Sequence, residues 1–464
     1  MPICKLLKGQ LVGRHVRWAF RLMVTSVCVF GLAIEPALAQ ALQLIRDTEI
    51  ERLLKSYEDP ILVAAGLDPA VVKMYIVQDP SINAFVAEGQ NIFINTGLLQ
   101  QLHTPNEVIG ILAHETGHIA GGHLIRDTSA ISKAMIPMLV GVAAGVAAML
   151  AGASGQAGMA LMGLGMTAAQ AQFMQFSRAQ EATADEMGQK FLRETHQSGQ
   201  GMLDVFQRLA DEEAMSAYKP DPMIMSHPAP RERLELLQQL VDASPYKDVK
   251  DSPEAVHAFR MIQAKLAGYL DPVDFVLTHY PLSDNSEEAH YARAVAYFRQ
   301  PDLQKALAEC DTLIKTEPNN PYFRELQGQI YVDMGRPESG VPPYQKSVDI
   351  MPDAPLLRLN LAAAELATEK TALAKPALDN LKIALRQESD NSFAWFEAAQ
   401  AYSDLGNEPM ANLSTAERYY NIGAMSAAAH FAGLAQKSLA PGSPDWQRAS
   451  DIMAVAGSDS AKRQ

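Results

Sequence analysis

The sequence predicts an α+β chain that is mostly α. A first domain with a small β-hairpin or sheet is followed by an α-solenoid of repeated helix pairs. Three observations carry this reading. His114-Glu115-Thr116-Gly117-His118 lies inside a helical pattern. Residues 81–99 alternate apolar and polar positions around Glu88-Gly89-Gln90-Asn91. Pro318 and Pro352 stand 34 residues apart, each closing a similar helix–turn–helix pattern.

At the N-terminus, basic Lys5, Lys8, Arg14, Arg17 and Arg21 precede an apolar run from Leu22 to Ile34 and then Ala37-Leu38-Ala39. This is the order of a secretory signal with a small-x-small cleavage site, so residues 1–39 are expected to leave before Gln40. Cys28 lacks a lipoprotein-like surround, which argues against lipid anchoring. Cys4 and Cys28 leave with the signal, and Cys310 alone can form neither an internal disulfide nor a cysteine zinc site. Losing five basic residues and one acidic residue moves the formal net charge from −14 to −18. So acidic a chain is a poor nucleic-acid binder, and broad attraction to anionic lipid is disfavoured. The remaining length suits at least two domains, expected at 40–270 and 286–464 with a linker at 271–285.

Ile82, Ala84 and Val86, then Ile92 and Ile94, alternate on the two sides of the Glu88–Asn91 turn and read as a β-hairpin. Next, Thr104-Pro105-Asn106-Glu107 reads as a helix start: Thr104 as N-cap, Pro105 at the first helical position, Glu107 completing a capping box. Val108, Ile111, Leu112 and Ile119 follow at helical spacing, and Gly121-Gly122 can end the helix. On it, His114 and His118 share one face a turn apart and can reach one zinc ion. Glu115 then sits beside the open coordination position, where it can take a proton from water. H-E-x-x-H is a metalloprotease pattern with a mechanism. As mere core residues, two buried His beside a buried Glu would be costly without a pairing cation.

In the longer pattern H-E-x-x-H-x-x-G-x-x-H, a third His falls at position 124. Gly121 fits, but position 124 is Leu, and His123 on a continued helix points away from the face of His114 and His118. The third ligand is sought instead in Arg178-Ala179-Gln180-Glu181-Ala182-Thr183-Ala184-Asp185, where Glu181 and Asp185 share one helical face. Alone, this is an ordinary charged face. Beside H-E-x-x-H, Glu181 completes a His-His-Glu site for one Zn2+ per chain with an open water position. Asp185 would orient a ligating His through its other ring nitrogen.

Between these helices, Ala134 to Ser177 hold no charged residue and are rich in Ala, Gly and Met. Pro137 and Gly152-Ala153-Ser154-Gly155-Gln156 interrupt the run, which dilutes it as a membrane span. The expectation is a buried helical hairpin or a mobile lid over the site. A membrane-facing surface is the alternative. Adaptable Met side chains suit unfolded hydrophobic clients.

Three stretches make the chain similar to the M48 family of zinc peptidases: His114-Glu115-Thr116-Gly117-His118, Glu181-Ala182-Thr183-Ala184-Asp185 and Ser226-His227-Pro228. It resembles the periplasmic branch that carries tetratricopeptide repeats, the beta-barrel assembly-enhancing proteases. Ile45-Arg46-Asp47-Thr48-Glu49-Ile50-Glu51 also looks like that branch, as do Asn83-Ala84-Phe85-Val86 and Ile92 through Leu99. The resemblance covers nearly the whole mature chain in order. It implies a zincin-like metallopeptidase domain, with His114, His118 and Glu181 as ligands and Glu115 as general base.

Ser226-His227-Pro228-Ala229-Pro230-Arg231-Glu232-Arg233 reads from composition as a Pro-rich turn before a helix holding Leu234 and Leu237. The family has His-Pro followed by Arg at this spacing, which implies active-site positions for His227 and Arg233. His227 would either take a fourth zinc position and close the enzyme, or stabilise the oxyanion formed on water attack. Arg233 would pair with an active-site carboxylate. In zinc peptidases of this shape an edge strand pairs with extended substrate, which assigns Asn83, Ala84, Phe85 and Val86 as the substrate strand.

The C-terminal region has the tetratricopeptide period. Tyr291, Ala294, Phe298, Ala306 and Leu313 precede Pro318, and Phe323, Leu326, Tyr331, Gly335 and Tyr344 precede Pro352. Leu357 to Leu385 reads as a degenerate repeat, and Trp395 to Gly406 as another first helix. Ala424 to Pro441 reads as the last pair, with Trp446 beyond it. Each pair leaves an apolar face that only a neighbour covers, so the pairs stack, and the concave surface implies a peptide or protein partner.

The expectation is a periplasmic zinc endopeptidase. The resemblance implies clients among unfolded or misassembled outer-membrane β-barrel proteins, assisted in assembly or degraded when stalled. The repeats would dock the β-barrel assembly machinery or the client, and nucleic acid is not a partner. The rivals are a non-proteolytic periplasmic scaffold or chaperone that works through its repeats, and a membrane-embedded peptidase of the same family.

Overall fold

A computed structural model describes residues 43–87, 89–123, 136–144, 155–215 and 231–462. The expected signal and its cleavage site, the turn residue Glu88 and residues 216–230 with His227 lie outside them. From Ile45 onward the chain forms one compact unit.

Four strands form one sheet in the order β1-β2-β4-β3: β1 (Leu44–Ile45), β2 (Met74–Val77), β3 (Ala84–Ala87) and β4 (Asn91–Asn95). β3 and β4 are the expected hairpin, antiparallel with Ala84 opposite Ile94 and Phe85 opposite Phe93. β2 runs parallel to β4 with Tyr75 beside Phe93. Alternation puts Ile76, Ala84, Ile92 and Ile94 into the core. On the other face Tyr75, Phe93 and Phe85 stack across three strands, with ring centroids 5.1 Å apart at each step.

Helix α1 (Thr48–Ala64) starts at Asp47, whose carboxylate accepts from the Ile50 amide, and buries Ile50, Leu54, Ile61 and Leu62. α2 (Thr96–Gln101) leads into α3 (Pro105–Ala120), which starts as its sequence requires. Thr104 accepts from the Glu107 amide at 3.2 Å, and the Glu107 carboxylate accepts from the His103 amide at 2.7 Å. α3 is buried on nearly every side, between α1, the long helix α4 (Gly155–Glu194) and α5 (Gln200–Met215). α6 (Arg231–Asp242) closes this core with Leu234, Leu237 and Val241.

α4 joins the uncharged stretch to the Glu181 segment in a single helix of 40 residues. Much of the described part of that stretch is exposed, although Gly141 and Gly165 are buried where the two helices meet. Ile136, Leu139 and Val140 on helical residues 136–144, and Met159, Leu164 and Met166 on α4, are all more than half exposed. The burial expected of the hairpin is therefore corrected, while its two helices do meet at Gly141 and Gly165: an apolar composition does not say whether a helix pair packs inside or projects outward. Among the described residues, no helix is long and apolar enough to cross a membrane.

α7 (Pro253–Leu270) has two apolar faces. Phe259, Ile262 and Leu266 belong to the first core, whereas Met261 and Ala264 belong to the next. Residues 271–285, expected as a linker, hold a further helix, α8 (Val273–His279), with Val276 fully buried in that second core. Arg293 gathers the turn after it by donating to the carbonyls of Pro281 and Asp284.

Five helix pairs follow. They are α9 (Glu287–Arg299) with α10 (Leu303–Thr316), α11 (Pro321–Asp333) with α12 (Pro337–Ile350), and α13 (Pro355–Ala367) with α14 (Thr371–Gln387). Then come α15 (Ser392–Asp404) with α16 (Glu408–Asn421), and α17 (Met425–Gln436) with α18 (Pro444–Lys462). α9, α11 and α13 begin at the 34-residue step. The degenerate stretch forms a complete pair. The final pair extends further than expected, with Trp446 inside its second helix rather than beyond it.

The solenoid returns to the first domain. Arg46 meets Glu388 at 2.6 Å, Lys73 meets Asp390 at 3.0 Å, and the Tyr291 hydroxyl donates to Glu49 at 2.7 Å. A cavity of ≈ 720 Å³ lies between them, lined by Asp47, Lys265, Tyr322, Glu325, Asn360 and Phe393 among others.

Candidate metal centre

α3 and α4 cross where α3 has no side chain, at Gly117. A Cβ on Gly117 would lie 2.5 Å from the Ala184 carbonyl oxygen, so only glycine permits this approach. It brings the His114–His118 face of α3 against the Glu181–Asp185 face of α4. His114 is fully buried, Glu115 and Glu181 nearly so, and His118 half-buried.

His114 Nε2 and His118 Nε2 are 3.1 Å apart. Glu181 Oε2 is 3.4 Å from the former, and its Oε1 is 3.4 Å from the latter. Four ligands about 2.0–2.1 Å from a tetrahedral zinc lie about 3.3–3.4 Å from one another. The His–His separation, and the distance of one Glu181 oxygen from each ring, are close to that spacing, one donor atom from each residue lies within 4.8 Å of the others, and two imidazole nitrogens with a carboxylate suit zinc.

Charge agrees with that fit. Burial disfavours a charged His114, but hydrogen bonds to Asp185 and Glu181 outweigh it and raise the ring to about 9. Two carboxylates thus favour positive charge at this point, and a bound cation would take the place of the proton. His114 Nδ1, on the far side from Glu181, is 3.0 Å from Asp185 Oδ1.

Arg233 comes from α6 to the same carboxylates. Its Nε donates to Asp185 Oδ2 at 2.6 Å, its Nη2 to Asp185 Oδ1 at 2.8 Å, and its Nη1 pairs with Glu181 Oε2 at 3.0 Å. Burial alone would raise the Asp185 carboxyl, yet the guanidinium and His114 hold it below the ordinary range. The charge of Glu115 also supports the Arg233 cation. Of the residues singled out from the sequence, His114, Glu115, His118, Glu181, Asp185 and Arg233 meet here. Ala84 to Val86 lie on β3, which packs against α3, and Asn83 directly precedes the strand.

Two side chains at the centre were not foreseen. Phe206 of α5 lies under the Arg233 guanidinium at 4.5 Å and edge-on to His114 at 5.1 Å. In the sequence it is one more apolar position on an amphipathic helix, with nothing to set it apart. His123 was expected to point away. The helix stops at Ala120, and Gly122 takes a left-handed turn at φ +64° that returns the ring to His118, Nδ1 to Nδ1 at 3.0 Å. The Gly-Gly pair was the available signal, because helical periodicity has no force past the end of a helix.

Residues 46–241 match the model of peptidase family M48. The chain is 25% identical over 370 residues to the beta-barrel assembly-enhancing protease of Yersinia pestis, covering 78% of this chain and 74% of that one. To the protein of the same name from Escherichia coli (strain K12) it is 23% identical over 407 residues, covering 86% and 81%. Metalloprotease LoiP of Escherichia coli (strain K12) is 30% identical over 179 residues, covering 39% and 66%.

Proposed function

Because residues 46–241 form a peptidase family M48 domain and the chain is accordingly a metalloendopeptidase, we propose that His114, His118 and Glu181 hold one zinc ion and that Glu115 is the general base. The observation that carries this reading is the donor cluster on the H-E-x-x-H helix, with the two Nε2 atoms 3.1 Å apart, a different Glu181 oxygen 3.4 Å from each, and Glu115 next in the chain to His114. When bound, zinc polarises the scissile carbonyl and acidifies the attacking water. Glu115 takes a proton from that water as its oxygen bonds to the carbonyl carbon. It then delivers the proton to the amine nitrogen as the C–N bond breaks. Asp185 fixes His114 through Nδ1, and Arg233 spans Asp185 and Glu181, so both act by positioning.

β3 is the outer strand of the sheet and packs on α3. An extended substrate adds to that edge along Asn83 to Val86, which selects unfolded or extended segments. His227 remains a proposed modulator of access to the metal.

The relatives' name and the signal-like N-terminus support a periplasmic enzyme acting on outer-membrane β-barrel proteins during assembly and degrading those that stall. The helix pairs would recruit the client or the assembly machinery. The test uses an unfolded β-barrel protein as substrate. Glu115→Gln should keep wild-type zinc content and lose cleavage by at least about 100-fold. Wild-type cleavage by Glu115→Gln would remove Glu115 from the chemistry.

A further inference from the structure

His118 uses its two ring nitrogens differently. Nε2 faces His114 Nε2 and Glu181 Oε1, at 3.1 and 3.4 Å. Nδ1 faces the opposite way and meets His123 Nδ1 at 3.0 Å, with the rings nearly perpendicular at 81°. His123 is only 3% exposed, so water does not readily replace it. We propose that His123 is a positioning residue for His118, a neutral hydrogen-bond acceptor that fixes the tautomer and ring angle in which Nε2 presents its lone pair. This rests on the metal reading above.

The assignment follows from proton counting. A neutral imidazole that gives its Nε2 lone pair to a cation carries its one proton on Nδ1. At 3.0 Å that N–H needs an acceptor, and His123 Nδ1 serves only if His123 is neutral with its proton on Nε2. The reverse, with His123 donating to His118 Nδ1, would require His118 to bind metal with both nitrogens deprotonated, which neutral pH does not allow.

The turn is shaped for this ring. Gly122 at φ +64° makes the reversal. A side chain on Gly121 would collide with His123 Nε2. Gln180, next to Glu181 on α4, donates through Nε2 to the His123 carbonyl at 3.3 Å, tying the turn to the helix that supplies the third ligand.

The two ligating histidines would thus be held by different chemistries. His114 leans on the Asp185 carboxylate, itself neutralised by Arg233, and His118 on an uncharged imidazole. The difference has a physical reason. Glu115, Glu181 and Asp185 already place three carboxylates here against one guanidinium, and a fourth would add repulsion among buried like charges.

The test compares His123→Leu, which lacks an acceptor, with His123→Asn, which offers an amide oxygen near the Nδ1 position. Zinc affinity of the full chain is measured by competition with a chromogenic chelator, alongside thermal melting of the metal-free protein. The Leu variant should bind zinc about 10–100-fold more weakly, and Asn should recover most of that loss. Wild-type affinity in the Leu variant, or an Asn variant as weak as Leu, overturns the proposal. A readout without variants guards against misfolding. In zinc-loaded wild type with ¹⁵N-labelled histidine, His118 should carry its proton on Nδ1 and His123 on Nε2. A protonated His123 Nδ1 overturns the proposal whatever the variants do. Wild type that takes up no zinc defeats the metal reading itself, whereas zinc-binding wild type matched by the Leu variant defeats this inference alone.

Discussion

His114 has no route to water, so each of its polar atoms needs a partner inside the protein. Asp185 meets one nitrogen and the donor face with Glu181 takes the other, and that division is what a zinc ligand requires. It depends on one missing side chain. A Cβ at position 117 would lie 2.5 Å from a backbone oxygen of α4, which cannot swing aside as a flexible side chain would. Gly117→Ala should therefore part the two helices. The expected cost is about 1–3 kcal/mol in denaturant unfolding of the metal-free protein, with weaker zinc binding. Unchanged stability and affinity would mean that the crossing is looser than described. At this scale, legibility in the sequence follows locality. His114, Glu115 and His118 are joined by the helical repeat, as are Glu181 and Asp185. Arg233 needed the family pattern as well. Phe206 could not be told from core, and His123 lay past a helix end where the repeat no longer says where a side chain points.

Among the elements, α1 carries a carboxyl that its surroundings do not favour. Glu58 is 2% exposed. Burial, with a smaller push from Asp59, raises its carboxyl to about 8 despite Lys55. The sign follows from linkage. The unfolded chain ionises near the ordinary carboxyl value of about 4.3, whereas the fold retains the proton to about 8. The stability this group contributes is complete below the unfolded value, declines as pH rises, and is gone above about 8. Glu58→Gln should match wild type near pH 4. It should then gain on wild type through that window, by on the order of 1–3 kcal/mol at pH 9. Parallel stability curves for the two proteins between pH 4 and 9 would refute the assignment. Elements were read best where two signals coincided, as at the Thr104-Pro105-Glu107 start of α3 and at the β3–β4 hairpin. The 271–285 stretch was read as a linker because its prolines and polar residues hide α8. Val276 is one apolar residue whose burial depends on neighbours far along the chain. The 134–177 stretch shows the opposite limit, because an uncharged composition fits a buried pair and a projecting one equally well.

At the scale of the whole molecule, α7 gives one face to each of two cores, so the peptidase core and the first helix pairs share a helix instead of meeting through a flexible linker. Exposed pairs such as Arg46–Glu388 and Lys73–Asp390 are each worth only about 0–1 kcal/mol. The shared apolar helix matters more to the join, and its buried Lys265, paired with Asp47 and Glu49, also faces the Tyr291 and Tyr322 rings of the helix pairs at 5.8 Å. The repeat architecture was legible because a 34-residue period is visible without knowing any contact. The return of the solenoid onto α1 and β2 was not, since it depends on curvature accumulated over five pairs. Within the first core α3 and α4 pack directly on each other, and the central claim is that Glu181 completes a metal site there. The most direct measurement is metal analysis of the purified full chain beside Glu181→Ala. Close to one zinc per wild-type chain and little or none in the variant is the expected result. Full zinc in Glu181→Ala would contradict it.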